Sequence, residues 1–192
     1  FRATHPLFTL IEQAKTNEFI RTFLRQYRQG GKLPIWELAA NYTNCMIGYH
    51  AIPVIADAYA KGIRDYDIEE AMDAMIYSAN LDSEGLEYYK AKGFIAASDE
   101  PESVSKTLEY AYDDWCIAMM ADSLGRDDVA NYFYQRGLFM AFHRLLRSMC
   151  KGNALNPLQS SLFNIHSSYL LSSPFTLSIF TLSNFAGWFS FA

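Results

Sequence analysis

Every Lys, Arg, Asp and Glu of this 192-residue chain lies at or before Lys151, and the 41 residues that follow carry none. Charged side chains are what a folded domain shows to water, so two kinds of sequence meet near residue 151. The distal part is rich in Ser, Phe and Leu, as in Ser167-Ser168-Tyr169-Leu170-Leu171-Ser172-Ser173-Pro174-Phe175. Its last stretch, Tyr169 to Ala192, has the ~20 residues a bilayer span needs. Pro174, Asn184 and several serines interrupt it, and no Lys or Arg flanks it closely, against the usual pattern of a span. The expected division is a domain over residues 1–150 and an uncharged tail over 151–192 that is not part of it. Translation in a wrong frame, or of an unspliced intron, would produce such a tail; a membrane span is the competing reading.

Before residue 150 the pattern is helical. Phe19, Ile20, Phe23, Leu24 and Tyr27 recur at helical spacing, and Gly30-Gly31 stops that segment. Asp67 with Glu70 forms a capping box for a helix whose inner face is Ile68, Ala71, Met72, Met75 and Ile76 and whose end is Asn80. Residues 46–62 are apolar, with Pro53 either starting or kinking a helix. Over 102–124, Val104, Leu108, Ala111, Trp115 and Met119 form an apolar stripe, and Glu102, Lys106, Glu109 and Asp113 a charged one on nearly the opposite side. The expectation is that the first is buried and the second solvated, with Asp114 between them. Gly125 ends this segment and Asp127-Asp128 suits the start of another. The chain is therefore expected to be all-α, with about five helices and no sustained strand.

General chemical motifs are missing. There is no GxGxxG, phosphate-binding loop, HExxH or GxSxG. Cys45, Cys116 and Cys150 give neither a disulfide framework nor a zinc spacing. The histidines His5, His50, His143 and His166 are scattered, and a hydrogen-bonded core histidine is the plain reading of His50. A net charge of -5 speaks against a nucleic-acid partner, which asks for a basic face. Asn41-Tyr42-Thr43 fits a glycosylation sequon. Phe1-Arg2-Ala3 opens the chain without Met or an apolar leader, as a processed chain or a fragment would. Asp113 and Asp114, adjacent on one helix, point ~100° apart and cannot easily flank a single glycosidic bond as acid and base. Trp36-Glu37, after Leu33-Pro34-Ile35, suits sugar binding, since an indole stacks on a pyranose face while a carboxylate accepts hydroxyl hydrogen bonds. A buried helix-capping Glu is the equally weighted alternative.

These residues carry a resemblance. Phe1-Arg2-Ala3-Thr4-His5-Pro6, Leu33-Pro34-Ile35-Trp36-Glu37-Leu38-Ala39, Cys45-Met46-Ile47-Gly48-Tyr49-His50, Val54-Ile55-Ala56-Asp57-Ala58-Tyr59-Ala60-Lys61-Gly62 and the run from Glu100 through Tyr112-Asp113-Asp114-Trp115 to Ala118 resemble glycoside hydrolase family 92, in order, over residues 1 to about 136. The resemblance implies a calcium-dependent, inverting exo-α-mannosidase whose catalytic domain is an (α/α)6 barrel. It also implies a glycan with terminal α-mannose as substrate, and a secreted or periplasmic protein. The chain then corresponds to the early part of that barrel, an incomplete toroid. Carried over position by position, Arg2, Trp36, Glu37 and His50 are the expected substrate-binding residues, and Asp113, Asp114 and Trp115 a structural motif. No catalytic or metal-binding residue is assigned. The family's Trp-Asp-Thr before Phe1, its Glu-Gly-Asn-Ala-Trp-Gln-Tyr acid motif, its later His-Glu pair and its basic and calcium-holding carboxylates have no counterpart here. Ala40 and Asn44 replace what are more often Gly and Asp. The resulting expectation is a fragment of an α-mannosidase, inactive alone; the alternative is a non-catalytic helical interaction protein, tethered to a membrane by its tail.

Overall fold

The computed structural model of the chain describes residues 1–139, with side chains to residue 137. Seven α-helices lie among the described residues: α1 (Thr4–Ile11), α2 (Gln13–Gly30), α3 (Ala51–Ala60), α4 (Ile68–Ala79), α5 (Leu86–Lys92), α6 (Ser103–Ser123) and α7 (Asp127–Tyr134). A π-helical turn, Gln135–Phe139, follows α7. The sole sheet among them is a hairpin of β1 (Glu37–Leu38) and β2 (Asn41–Tyr42), antiparallel with Glu37 opposite Tyr42. The all-α expectation therefore holds, with seven helices rather than about five; the additional ones, α1 and α5, are eight and seven residues long. The tail 151–192 and the expected boundary near 150 lie outside the described residues.

Local chemistry explains most element ends. Gly31 stops α2 with φ +78° and donates its N–H to Tyr27 O, the left-handed cap that glycine adopts without a Cβ clash. Asp67 caps α4 by accepting the Glu70 N–H at 2.9 Å. Glu70 does not return the contact; its carboxylate pairs with Arg28 of α2, so half of the capping box has become a tie between helices. Pro53 is the third residue of α3, where its missing N–H costs no intrahelical bond. All of α3 except Asp57 and Ala60 is buried, which explains its lack of a polar face: a helix apolar all round is a core helix. The core gathers around Ile52 and Ile55 of α3, Met72 and Met75 of α4, and Ile117 and Met120 of α6.

The orientation of α6 corrects the sequence reading. Val104 and Leu108 of the supposed inner stripe are 68% and 48% exposed, whereas Lys106 is buried and Asp113 and Asp114 are fully buried. Trp115 is half-buried against the core. The inward face runs through Lys106, Tyr110, Asp113, Asp114, Ile117 and Met120. Charge was assigned to solvent by default, but each of these polar groups meets a partner from elsewhere in the chain. Lys106 Nζ donates to Glu100 at 2.8 Å, and the two aspartates meet groups distant in sequence.

Candidate functional site

Asp114 sits at the centre of a closed polar knot. Its Oδ2 accepts Arg136 Nε at 2.6 Å, and its Oδ1 accepts Arg136 Nη2 and Tyr49 Oη, both at 2.6 Å. Arg136 also donates to Ala79 O and Asn80 Oδ1, each at 3.0 Å, and its backbone carbonyl accepts Tyr89 Oη at 3.1 Å. Tyr49 stacks on Tyr110 with ring centres 4.9 Å apart. Burial raises the Asp114 pKa, and the guanidinium opposes part of that rise. A two-toothed pair with every polar atom occupied holds α6, the end of α4, the residues before α3 and the π-turn together.

Asp113 points the other way. Its Oδ2 accepts the Tyr49 N–H at 3.0 Å, while its buried Oδ1 has no partner. Burial drives its pKa well above the usual carboxylate range, against the help of that N–H. One turn earlier on the same face, Glu109 Oε1 accepts from Arg2 Nη2, and its buried Oε2 has no hydrogen bond. Burial raises the Glu109 pKa and Arg2 counters it. His50 brings Nδ1 to 3.9 Å from Glu109 Oε2, beyond hydrogen-bond range. The ring is buried and stacks under Phe1 at 4.3 Å. Burial, then the positive charge of Arg2, pushes its pKa down to about 4. His50 is therefore a buried histidine whose Nδ1 makes no hydrogen bond, where the plain reading expected a hydrogen-bonded core histidine. Gly48 fits here because a Cβ would come within 2.7 Å of His50 Cε1 and 2.9 Å of Asp113 Oδ2.

His50 also borders an open pocket of roughly 250 Å3, together with Trp36, Glu37, Phe23, Gln26 and His5. Trp36 is 47% exposed and Glu37 is half-buried at the start of β1. Glu37 caps no helix, which removes that alternative. The hairpin beneath them turns on Ala39 and Ala40, with φ +51° and +60°. Positive φ at both central residues belongs to the turn that usually selects Asn-Gly. Thr43 extends the ladder by donating both its N–H and Oγ1 to Trp36 O. Asn41 is exposed on β2.

The pocket thus joins three of the four expected binding residues, Trp36, Glu37 and His50. Arg2 is not in its lining; it is exposed, lies over the Phe1 ring, and reaches His50 through Glu109. A second crevice beside Tyr49 and Tyr110 holds only about 20 Å3, too little for a sugar. Glu109, His5, Tyr49 and Arg136 were not assigned to a site from sequence. The spacing did put Glu109 and Asp113 on one helix face, so a signal for Glu109 existed once that face is turned inward.

Calcium takes about 6–8 oxygen ligands. Among the described residues no group of three or more His, Cys, Asp or Glu is placed to hold a metal ion, and Asp114 has both oxygens engaged. The calcium implied by the resemblance does not fit these residues. Cys45 and Cys116 are free thiols. No helix among the described residues is long and apolar enough to cross a membrane; the stretch 169–192 lies outside them.

Comparison with known proteins bears out the resemblance. Residues 1–141 match the glycosyl hydrolase family 92 catalytic domain. A family GH92 α-mannosidase from Bacteroides thetaiotaomicron is 43% identical, with a TM-score of 0.67 over 70% of this chain and 19% of its own. That enzyme has also been solved in complex with mannoimidazole. A family GH92 inverting mannosidase of the same organism is 37% identical, with a TM-score of 0.66 over 70% of this chain and 19% of its own. An uncharacterized secreted glycosidase of Arthroderma benhamiae is 30% identical over 131 residues, which are 59% of this chain and 17% of the relative. The chain spans less than a fifth of the length of these relatives.

Proposed function

This chain belongs to glycosyl hydrolase family 92, and on that premise we propose that it forms one wall of the sugar site of an α-mannosidase and is inactive by itself. The complete enzyme would hydrolyse terminal α-mannosyl residues of glycans with inversion. The observation that carries this reading is the pocket at which the exposed Trp36 indole, the Glu37 carboxylate and His50 meet. The indole would stack on the apolar face of a mannose ring. Glu37 would accept hydroxyl hydrogen bonds, and the neutral imidazole of His50 offers one donor and one acceptor. Arg2 contributes from behind, through Glu109. Asp113, Asp114 and Trp115 serve the scaffold.

Inactivity follows from the chemistry of inversion. Such a reaction needs a general acid and a general base about 6.5–9.5 Å apart on opposite sides of one bond. The acid motif and the basic carboxylates of the family have no counterpart in this sequence, and no step here is assigned to calcium. The domain is taken as residues 1–150, with 151–192 outside it.

The purified chain should bind methyl α-D-mannopyranoside weakly, quenching indole fluorescence, and release no mannose from an aryl α-mannoside with or without calcium. Trp36→Ala should weaken binding about tenfold, the scale of one lost stacking contact. Mannoside affinity equal in Trp36→Ala and wild type would remove the pocket from the sugar site, and calcium-dependent turnover by the chain would overturn its inactivity.

A further inference from the structure

The buried polar atoms left without hydrogen bonds among the described residues are not scattered: three of the five, His50 Nδ1, Glu109 Oε2 and Asp113 Oδ1, belong to one cluster behind the pocket. In native proteins such atoms are few, and a group of them asks for a reason. The cluster is closely built. Phe1 covers the His50 ring with an interplanar angle of 19°, fixing its plane. Gly48 leaves room for Cε1 that no other residue would leave. Arg2 holds Glu109 by Oε1, which turns Oε2 toward the imidazole. Glu109, not Asp113, takes that part, because its Oε2 is the carboxylate oxygen within ion-pair range of the ring, at 3.9 Å from Nδ1.

A neutral imidazole carries its proton on one nitrogen and a lone pair on the other, and the environment of the first decides what the second can do. We propose that Glu109 is a positioning residue for His50: its Oε2, facing Nδ1, keeps the ring proton on Nδ1 and so presents the Nε2 lone pair to a hydroxyl of the sugar in the Trp36–Glu37 pocket. The part concerning the sugar rests on the reading of that pocket given above. The 3.9 Å separation makes the coupling one of charge rather than of a formed hydrogen bond. Arg2 has a double part, holding the carboxylate in place and adding its charge to the burial that chiefly keeps the imidazole neutral.

The test is the tautomer of His50 in the whole 15N-labelled chain near neutral pH. Long-range 1H–15N correlation shows which ring nitrogen carries the proton, with His50 identified as the signal lost in His50→Asn. The wild type should carry the proton on Nδ1. Glu109→Leu, which removes the acceptor, should move it to Nε2, and Glu109→Gln, which retains a carbonyl oxygen, should restore Nδ1 in part. Affinity for methyl α-D-mannopyranoside should fall about five- to tenfold in Glu109→Leu, as for one lost hydrogen bond. A wild-type proton on Nε2, or an unchanged tautomer in Glu109→Leu, overturns the role of Glu109 whether or not the mannoside binds. If Glu109→Leu does not fold, the wild-type tautomer alone decides. Absence of mannoside binding by a wild type with the expected tautomer overturns the sugar reading and leaves the positioning role standing.

Discussion

Asp113 and Asp114 are adjacent on α6 and both fully buried, yet they stand in opposite surroundings. Asp114 has both oxygens engaged by a guanidinium and a phenol. Asp113, with Glu109 and His50, belongs to a cluster in which one polar atom of each is unpartnered. Turning ~100° between neighbouring residues, one helix builds a staple on one side and a receptive cradle on the other. Burial of charge, taken alone, therefore says nothing about role; the completeness of its hydrogen bonding does.

The largest effect should separate the two sides. Asp114→Ala leaves the Arg136 guanidinium buried and uncompensated, and should cost ~3–5 kcal/mol in a denaturant titration, or prevent folding. A loss below about 1 kcal/mol would mean that the knot is no more than a surface ion pair.

Asp113→Asn should act much less and with a different signature. The amide oxygen can still accept the Tyr49 N–H, and the charge that burial disfavours is gone. Because the folded state raises the Asp113 pKa, the native protein holds that proton where the unfolded chain has released it. Its contribution is fully present below about pH 4 and is lost as pH rises toward the folded value. The stability of wild type relative to Asp113→Asn should therefore fall as pH increases above about 4. His50 runs the other way: its pKa of about 4 against 6.5 unfolded gives stability that is lost as pH falls between those values. Comparing the two proteins at each pH cancels the His50 contribution, provided its titration is unaltered. A difference independent of pH from 4 to 8 would place Asp113 in a solvated setting after all.

The smallest effect concerns the hairpin beside the cradle. Ala40 sits at φ +60°, where an L-residue pays ~1–2 kcal/mol relative to the right-handed region. Ala40→Gly removes that strain but frees the unfolded chain, so a net gain of ~0.5–1 kcal/mol in the unfolding midpoint is expected. A loss would show that the Ala39-Ala40 turn is relaxed.

How far the sequence could be read depended on the distance of each partner. Gly31, Asp67 and Asn80 act within a few residues, and their helix ends were evident. The outward stripe of α6 was not, because the groups that draw its polar face inward come from Tyr49, more than sixty residues earlier, and Arg136, twenty-two later. The short α1 and α5 carry too few turns for a period to stand out. The hairpin lacks the Asn-Gly signal and is built from two alanines instead. Trp36, Glu37 and His50, which line one pocket, stood out through motifs, whereas Glu109 was hidden as one more charge on a supposedly wet face.

The Asp114–Arg136 pair also fixes an order of events in biosynthesis. A nascent chain completes α6 well before Arg136 is added, and until then the Asp114 carboxylate has no counter-charge to enter the interior with. The helix can form in that interval, but it cannot settle its inner face without burying an unpaired charge. Arg136 must therefore be free of the ribosome before α6 can dock with its inner charge paired, and a chain ending short of residue 136 would have the helix without the counter-charge that its buried carboxylate meets in the folded protein.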